Sequence, residues 1–369
     1  MRAARECFQR LADAGQADAV IWVALAGACG RLGDLQAAHA AVDKALALDP
    51  SNLRGLIVKA DLLGGQGDAR AASAFYMAAV QAAPPENQLT SDLRADLQRA
   101  NAIIQQYGRQ FESILTDRLK QAGFVAGAST ARFAQSLDLL FGRRQIYFQA
   151  PRYYYFPGLP QIQFYERDCF PWLDKVEAAT AAIRDELHGV LEDRTAFRPY
   201  LASDPPRPRN QQGHMLDNDE WSAFYLWKNG EPVAGNVERC PRTMEALSGV
   251  PFPRVPNRSP SILFSMMRPG AHIPAHNGFV NTRLICHLPV IAPRGCSLRV
   301  GNEEREFVEG KAWVFDDTIE QEAWNRSDRA RVILLFEIWR PELSEEERAL
   351  VRTMFEAIDT HGGAAAWSI

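Results

Sequence analysis

The first eighty or so residues carry apolar and small side chains at helical spacing, and the pattern repeats on itself. Gly33-Asp34 recurs as Gly67-Asp68, Ala38 as Ala72 and Pro50 as Pro84, each pair 34 residues apart. That period predicts paired helices, with a Gly-Asp turn between partners, small residues where they approach closely, and Asp49-Pro50 ending the second helix. Subtracting one period sets Ala4 opposite Ala38, so the sequence is expected to begin in the second helix of a partial repeat. A helix over about 90–121 is expected to cap the stack, because a single repeat cannot cover its own apolar face. Past Arg144 the texture changes. Aromatics and prolines crowd residues 147–172, predicting an extended segment laid on a core. Ile183, Leu187 and Val190 predict one helix over 173–191. A polar stretch at 203–213 predicts a long loop of the kind that borders sites. Short β-branched or aromatic runs follow at 221–227, 261–267, 282–290, 297–300, 311–315 and 331–339, parted by turn residues such as Pro269-Gly270, Gly301-Asn302 and Asp316-Asp317. Closely spaced strands without helices between them predict an antiparallel sandwich or barrel, most commonly a jelly roll. The expected class is α+β.

A chain of 369 residues is long enough for two domains, each with its own core. The expected division is 1–125 for the helical repeats and their cap, 126–345 for the β-rich domain, and 346–369 for a C-terminal helix or tail. A net charge of −4 with scattered basic residues argues against a nucleic-acid partner. No apolar run reaches the length of a membrane span, and the first residues contain no apolar signal core. The six cysteines (Cys7, Cys29, Cys169, Cys240, Cys286, Cys296) contain no CxxC and no dense framework. Reduced thiols and a cytoplasmic location are expected.

The candidate chemistry is a group of histidines. His272 and His276 lie four apart in a Pro-punctuated extended segment, and His287 follows. Even spacing puts His272 and His276 on one side of a regular strand, but Pro274 interrupts that regularity. A His near a strand end at a barrel mouth suits a metal. A lone His is more often a hydrogen-bonded structural residue, and from the residues alone both readings stand.

The ordered string Pro269-Gly270-x-His272-Ile273-x-x-His276-x-Gly278-x-x-Asn281-x-Arg283-Leu284-x-x-His287-Leu288 narrows the choice. It is followed by Glu309-Gly310-Lys311, Phe315-Asp316-Asp317, Glu322-x-Trp324-Asn325 and Arg331-Val332, and preceded by Phe156-Pro157-Gly158-Leu159 and Cys240-Pro241-x-Thr243. Together these resemble the aspartyl/asparaginyl β-hydroxylase family over roughly 144–343, and the N-terminal period resembles tetratricopeptide repeats, which are familiar before this domain. The resemblance implies a double-stranded β-helix (jelly roll) that binds Fe(II) and 2-oxoglutarate and hydroxylates a carbon of an Asp/Asn-type substrate. It implies iron at His276, and 2-oxoglutarate contacts at Ser265, Met267, His287 and Arg331. Two positions depart from the family pattern. Gln321 stands where the second iron-ligating His is expected, as a weak or non-ligating substitute. Ile285 stands where an Arg often contacts 2-oxoglutarate; Arg283, on the same strand face by alternation, is expected to take over part of that contact.

The expectation is therefore an Fe(II)/2-oxoglutarate-dependent oxygenase with an atypical metal site, acting on an Asp/Asn-type residue or a small amino-acid-like molecule. Two alternatives remain: a degenerate binding module that holds a peptide or carboxylate without oxidation, and a scaffold whose repeats carry the interaction. The partner expected is a small-molecule or peptide substrate, with neither nucleic acid nor membrane; the short repeats suit either docking of a protein or simple packing on the second domain or a second copy, and both readings stand.

Overall fold

The computed structural model describes residues 1–125, 127, 130–201 and 215–362; the loop expected at 203–213 lies outside them. The chain divides into two compact units, Met1–Arg143 and Arg144–Ile369.

The first unit is helical: α1 (Arg2–Asp13), α2 (Ala19–Arg31), α3 (Leu35–Leu48), α4 (Leu53–Gly65), α5 (Ala69–Ala82), α6 (Ser91–Gln121) and α7 (Ala131–Leu140). The Gly-Asp pair that marks the repeat does two jobs in succession. Gly33 and Gly67 take φ of +79° and +86°, the left-handed conformation that stops α2 and α4 at little cost. Asp34 and Asp68 then cap α3 and α5, each accepting a backbone N–H three residues on, from Ala37 at 3.1 Å and Ala71 at 2.9 Å. Ala38 and Ala72 are buried where paired helices meet. The cap is α6, whose buried residues Leu97 and Ala100 join the cluster of Leu56, Ile57 and Tyr76.

In the second unit, helices α8 (Leu173–Ala178), α9 (Thr180–Leu191), α10 (Ala234–Arg239), α11 (Pro241–Ala246) and α12 (Glu345–Gly362) surround eleven strands. The strands are β1 (Arg198–Pro199), β2 (Trp221–Lys228), β3 (Glu231–Pro232), β4 (Ile262–Met267), β5 (His272–His276), β6 (Arg283–Ile291), β7 (Cys296–Val300), β8 (Glu303–Glu306), β9 (Trp313–Phe315), β10 (Gln321–Asn325) and β11 (Arg331–Trp339). A seven-stranded sheet runs β1-β2-β4-β11-β6-β9, with β3 on β2, and a four-stranded sheet runs β5-β10-β7-β8. From β4 to β11 successive strands cross between these two sheets, except that β7 and β8 form a hairpin within the smaller one, and every strand pairing is antiparallel. This is the double-stranded β-helix that the strand spacing and the family resemblance predict.

The expected single helix over 173–191 is instead two. It breaks at Ala179, where the Thr180 hydroxyl donates to the Glu177 carbonyl at 2.6 Å and competes with the helical ladder. Five strands went unnamed among the apolar runs: the two-residue β1 and β3, and β5, β8 and β10. β8 reads Glu-Glu-Arg-Glu and β10 reads Gln-Glu-Ala-Trp-Asn, with an inward face of Gln321, Ala323 and Asn325, so neither offers a strong apolar signal.

Strand alternation divides the large sheet between two environments. Leu284, Cys286, Leu288, Val332, Leu334 and Phe336 face outward onto α8 and α9 in one core cluster. The opposite-parity residues of the same strands face the interior between the sheets, and there the candidate chemistry gathers.

Candidate active site

The interior holds a cavity of ≈ 340 Å³, within the range of small-molecule sites. Arg283, Ile285 and His287 reach it from β6; Arg331, Ile333, Leu335 and Glu337 reach it from β11, all at a period of two. Ser265 enters from β4, His276 from β5 and Gln321 from β10. Six of the seven residues singled out from the sequence thus meet around one volume. Met267 does not line it: its side chain is fully buried in the inner cluster beside Trp221 and Ile273. That is a correction to its expected contact with 2-oxoglutarate.

The two neighbouring histidines part company at a bulge. β10 pairs Gln321 with His276 and Ala323 with Ile273, so β5 spends three residues where β10 spends two. The extra residue falls at Pro274-Ala275, where Pro274 has no N–H to give the ladder. One added residue reverses the side-chain parity. His272 therefore faces outward, its Nε2 at 2.8 Å from Glu322 and its ring stacked on Trp324 at 5.5 Å. His276 faces the cavity directly opposite Gln321.

The state of His276 follows from its surroundings. Its Nδ1–H donates to the Pro274 carbonyl at 2.8 Å, which leaves the Nε2 lone pair free. Burial, reinforced by the Arg152 charge, pulls its pKa down to about 4, so the ring is neutral at pH 7. The Gln321 side chain is 9% exposed and has no hydrogen-bond partner among the described residues. Glu320 and Glu322 offer no replacement ligand. Both pair with Arg299, at 2.8 Å each, outside the set that lines the cavity.

The opposite wall is built around an isolated cation. Arg331 is 2% exposed, and no carboxylate among the described residues pairs with it; only the Phe307 ring lies over it, at 5.1 Å. Burial pushes its pKa down to about 10, so the guanidinium remains charged at neutral pH. His287 is beside it, with a buried Nδ1 that has no partner. Burial first, and the Arg331 charge second, hold that ring well below its ordinary pKa, so it too is neutral. The Ser265 hydroxyl accepts from Trp221 Nε1 at 3.1 Å and keeps its own proton to donate.

Arg283 is differently placed. Asp317 Oδ2 and Glu337 Oε1 hold its guanidinium, each at 3.0 Å. Burial opposes its charge, but the two carboxylates outweigh that and raise its pKa. It lines the cavity with its charge already balanced, so it does not replace the cation missing at Ile285. Burial, against the pull of Arg283, lifts the Asp317 carboxyl to about 6, and its Oδ1 has no hydrogen-bond partner. Asp317 and Glu337 were not among the residues picked from the sequence. Glu337 carries a readable signal: it is a charged residue in the otherwise apolar run of β11, at inward parity with Arg331.

Whether the expected cofactors suit these residues is decided by the unpartnered atoms. A dicarboxylate suits the end formed by Arg331, His287 and Ser265, which otherwise buries a cation without a counter-ion. The metal end offers one imidazole nitrogen where two were expected. Its remaining polar groups are oxygen donors, and the described residues contain no group of three His, Cys, Asp or Glu placed to hold an ion.

Comparison with known proteins agrees with this architecture. Residues 177–341 match the aspartyl/asparaginyl β-hydroxylase family model, and residues 19–52 match a tetratricopeptide repeat. Human aspartyl/asparaginyl β-hydroxylase is 34% identical over 45% of this chain and 21% of its own length. The ornithine lipid ester-linked acyl 2-hydroxylase of Rhizobium tropici is 32% identical over 50% of this chain and 62% of its own. Human aspartate β-hydroxylase domain-containing protein 2 is 29% identical over 56% and 55%. The chain therefore spans between about a fifth and three fifths of these relatives. Among solved structures, the cupin domain of Schizosaccharomyces pombe Cnp3 aligns over 37% of this chain and 72% of its own at 9% identity, with a TM-score of 0.22. Over residues 177–341 the chain is thus similar to the aspartyl/asparaginyl β-hydroxylase family, and a tetratricopeptide-repeat match lies ahead of that stretch.

Proposed function

We propose that the second unit is an Fe(II)- and 2-oxoglutarate-dependent oxygenase with an atypical metal site, which hydroxylates a carbon of an Asp/Asn-type residue or a small amino-acid-like molecule. The observation that carries this reading is the buried Arg331 guanidinium, unpaired among the described residues and sharing one cavity with His276. A distal carboxylate of 2-oxoglutarate would neutralise it with two parallel hydrogen bonds. Ser265 donates a further hydrogen bond, and the Phe307 and Phe315 rings fix the plane of His287 and keep water from that end. The His276 Nε2 lone pair, facing Gln321, is where a ferrous ion would be held. That ion would supply the O2 activation in which R–H, O2 and 2-oxoglutarate become R–OH, succinate and CO2. The His276 proton stays on Nδ1, tied to Pro274, so no protonation competes for Nε2 at neutral pH.

One observation favours a second reading. The loss of one imidazole at Gln321 suits a module that binds a carboxylate without oxidising anything. Succinate formation separates the two. Purified protein supplied with Fe(II), O2 and 2-oxoglutarate is expected to release succinate, and Arg331→Ala to reduce the rate at least tenfold. If 2-oxoglutarate binds at Arg331 and no succinate forms at saturating Fe(II), the binding-module reading replaces the oxygenase.

A further inference from the structure

A buried group with an open valence, facing the metal end of the cavity, remains unused. Asp317 is 5% exposed, its Oδ1 has no hydrogen-bond partner, and it lines the same cavity as His276 and Gln321. The ladder between β5 and β10 places it there. His276 stands opposite Gln321, and the chain continues this approach beyond the strands. Asn277 Nδ2 donates to the Thr318 carbonyl at 2.8 Å, and the Gly278 N–H donates to the Asp317 carbonyl at 2.6 Å. His276 and Gln321 thus sit on one rung, with Asp317 on the next contact along. Gly278 makes room for it: a Cβ at that position would overlap the Asp317 carboxylate. The space that a side chain at position 278 would take is thus filled by the Asp317 carboxylate.

Charge points the same way. Arg283 lies between two carboxylates, and Glu337 is already satisfied by Arg283 and by the Ser261 N–H at 3.0 Å. The buried triad carries a net negative charge; the one buried cation on the same cavity that no carboxylate among the described residues pairs is Arg331, and the cavity's remaining cations, Arg152 and Lys228, are exposed. Besides His287 Nδ1 and the Arg331 guanidinium, the groups lining this volume without a hydrogen-bond partner include the His276 Nε2, the Asp317 Oδ1 and the Gln321 carboxamide.

We infer that the divalent cation of this domain is held by His276, Asp317 and Gln321, with the Asp317 carboxylate replacing the missing second imidazole. The inference rests on the metal-dependent reading above and gives it a donor set. One nitrogen and two oxygens make a harder site than two imidazoles, favouring Mn(II) or Fe(II) over Zn(II) or Cu(II) relative to a nitrogen-rich site.

The test is titration of the full chain with Mn(II) alone, followed by loss of the free-ion electron paramagnetic resonance signal. The wild type is expected to bind one equivalent. Asp317→Ala and Asp317→Asn should each weaken binding at least ~10-fold, as His276→Ala should. Gly278→Ala should weaken it too, because the added methyl displaces the carboxylate without removing any ligand. Asp317→Asn keeps an oxygen for Arg283, and Glu337 still holds that guanidinium, so an unchanged urea midpoint for this variant separates lost metal from lost fold. Mn(II) affinity within twofold of wild type in Asp317→Asn, with binding lost in His276→Ala, would overturn the inference; so would a wild type that takes up no Mn(II). Asp317-dependent Mn(II) binding without succinate formation upholds this site and removes only the oxygenase reading.

Discussion

Arg331, Gln321 and His287 each make a claim that a single substitution can test. If the buried guanidinium anchors a carboxylate, its planar fork matters as well as its charge. Calorimetry should find 2-oxoglutarate affinity reduced ~10-fold in Arg331→Lys and ~100-fold in Arg331→Ala, the latter about 2.7 kcal/mol. Equal losses in both would mean that the two-pronged geometry contributes nothing. Gln321→His adds a second nitrogen opposite His276 and should raise Fe(II) affinity and succinate formation at least ~10-fold. A substitution that instead abolishes existing turnover would mark the carboxamide as an adaptation. His287 gives a pH signature. Burial and Arg331 hold its folded pKa well below the ordinary 6.5, so below that value the unfolded chain binds more protons than the folded one. Stability present above pH 6.5 is then lost as pH falls. Urea midpoints at pH 7 and pH 5 should fall further apart in the wild type than in His287→Leu; parallel losses would sink this assignment.

At the scale of elements, the bulge in β5 decides which histidine is chemical. The residue types could not decide it, since His272 and His276 share a face in any regular strand and oppose each other only after one residue is inserted. Pro274 marked the irregularity, but its consequence depends on pairing with β10. In the helical unit the local signal was stronger, because Gly33-Asp34 and Gly67-Asp68 each write a helix stop and a helix start into two adjacent residues. Asp34→Ala and Asp68→Ala should each cost about 1 kcal/mol in unfolding measurements of the helical unit. The two caps belong to different helices, so the double variant should lose close to the sum. A double variant no less stable than either single one would show that these caps are not independent. The break between α8 and α9 was illegible for the opposite reason: Ile183, Leu187 and Val190 keep a helical period right up to it, while a single hydroxyl–carbonyl bond makes the interruption.

For the molecule as a whole, every residue that lines the cavity lies between Arg152 and Glu337, within the second unit. A chain cut to residues 144–362 should therefore bind 2-oxoglutarate within about twofold of full length, and a loss beyond tenfold would give the helical unit a share in the site. Sequence by itself determined the 34-residue helical period, the closely spaced antiparallel strands of a jelly roll and the shared strand face of Arg283, Ile285 and His287, because periodicity and turn residues are local properties that survive without coordinates. Resemblance to the family added the expectation that Gln321 stands where an iron-ligating His would. Only the tertiary structure decided that Met267 packs into the inner cluster without lining the cavity, that Arg283 is neutralised by two carboxylates, and that Asp317 comes from a distant loop into the space above Gly278. Those outcomes depend on which strands pair and in what register. Side chains far apart in the chain meet only when the two sheets close over the cavity, and no local pattern encodes that meeting.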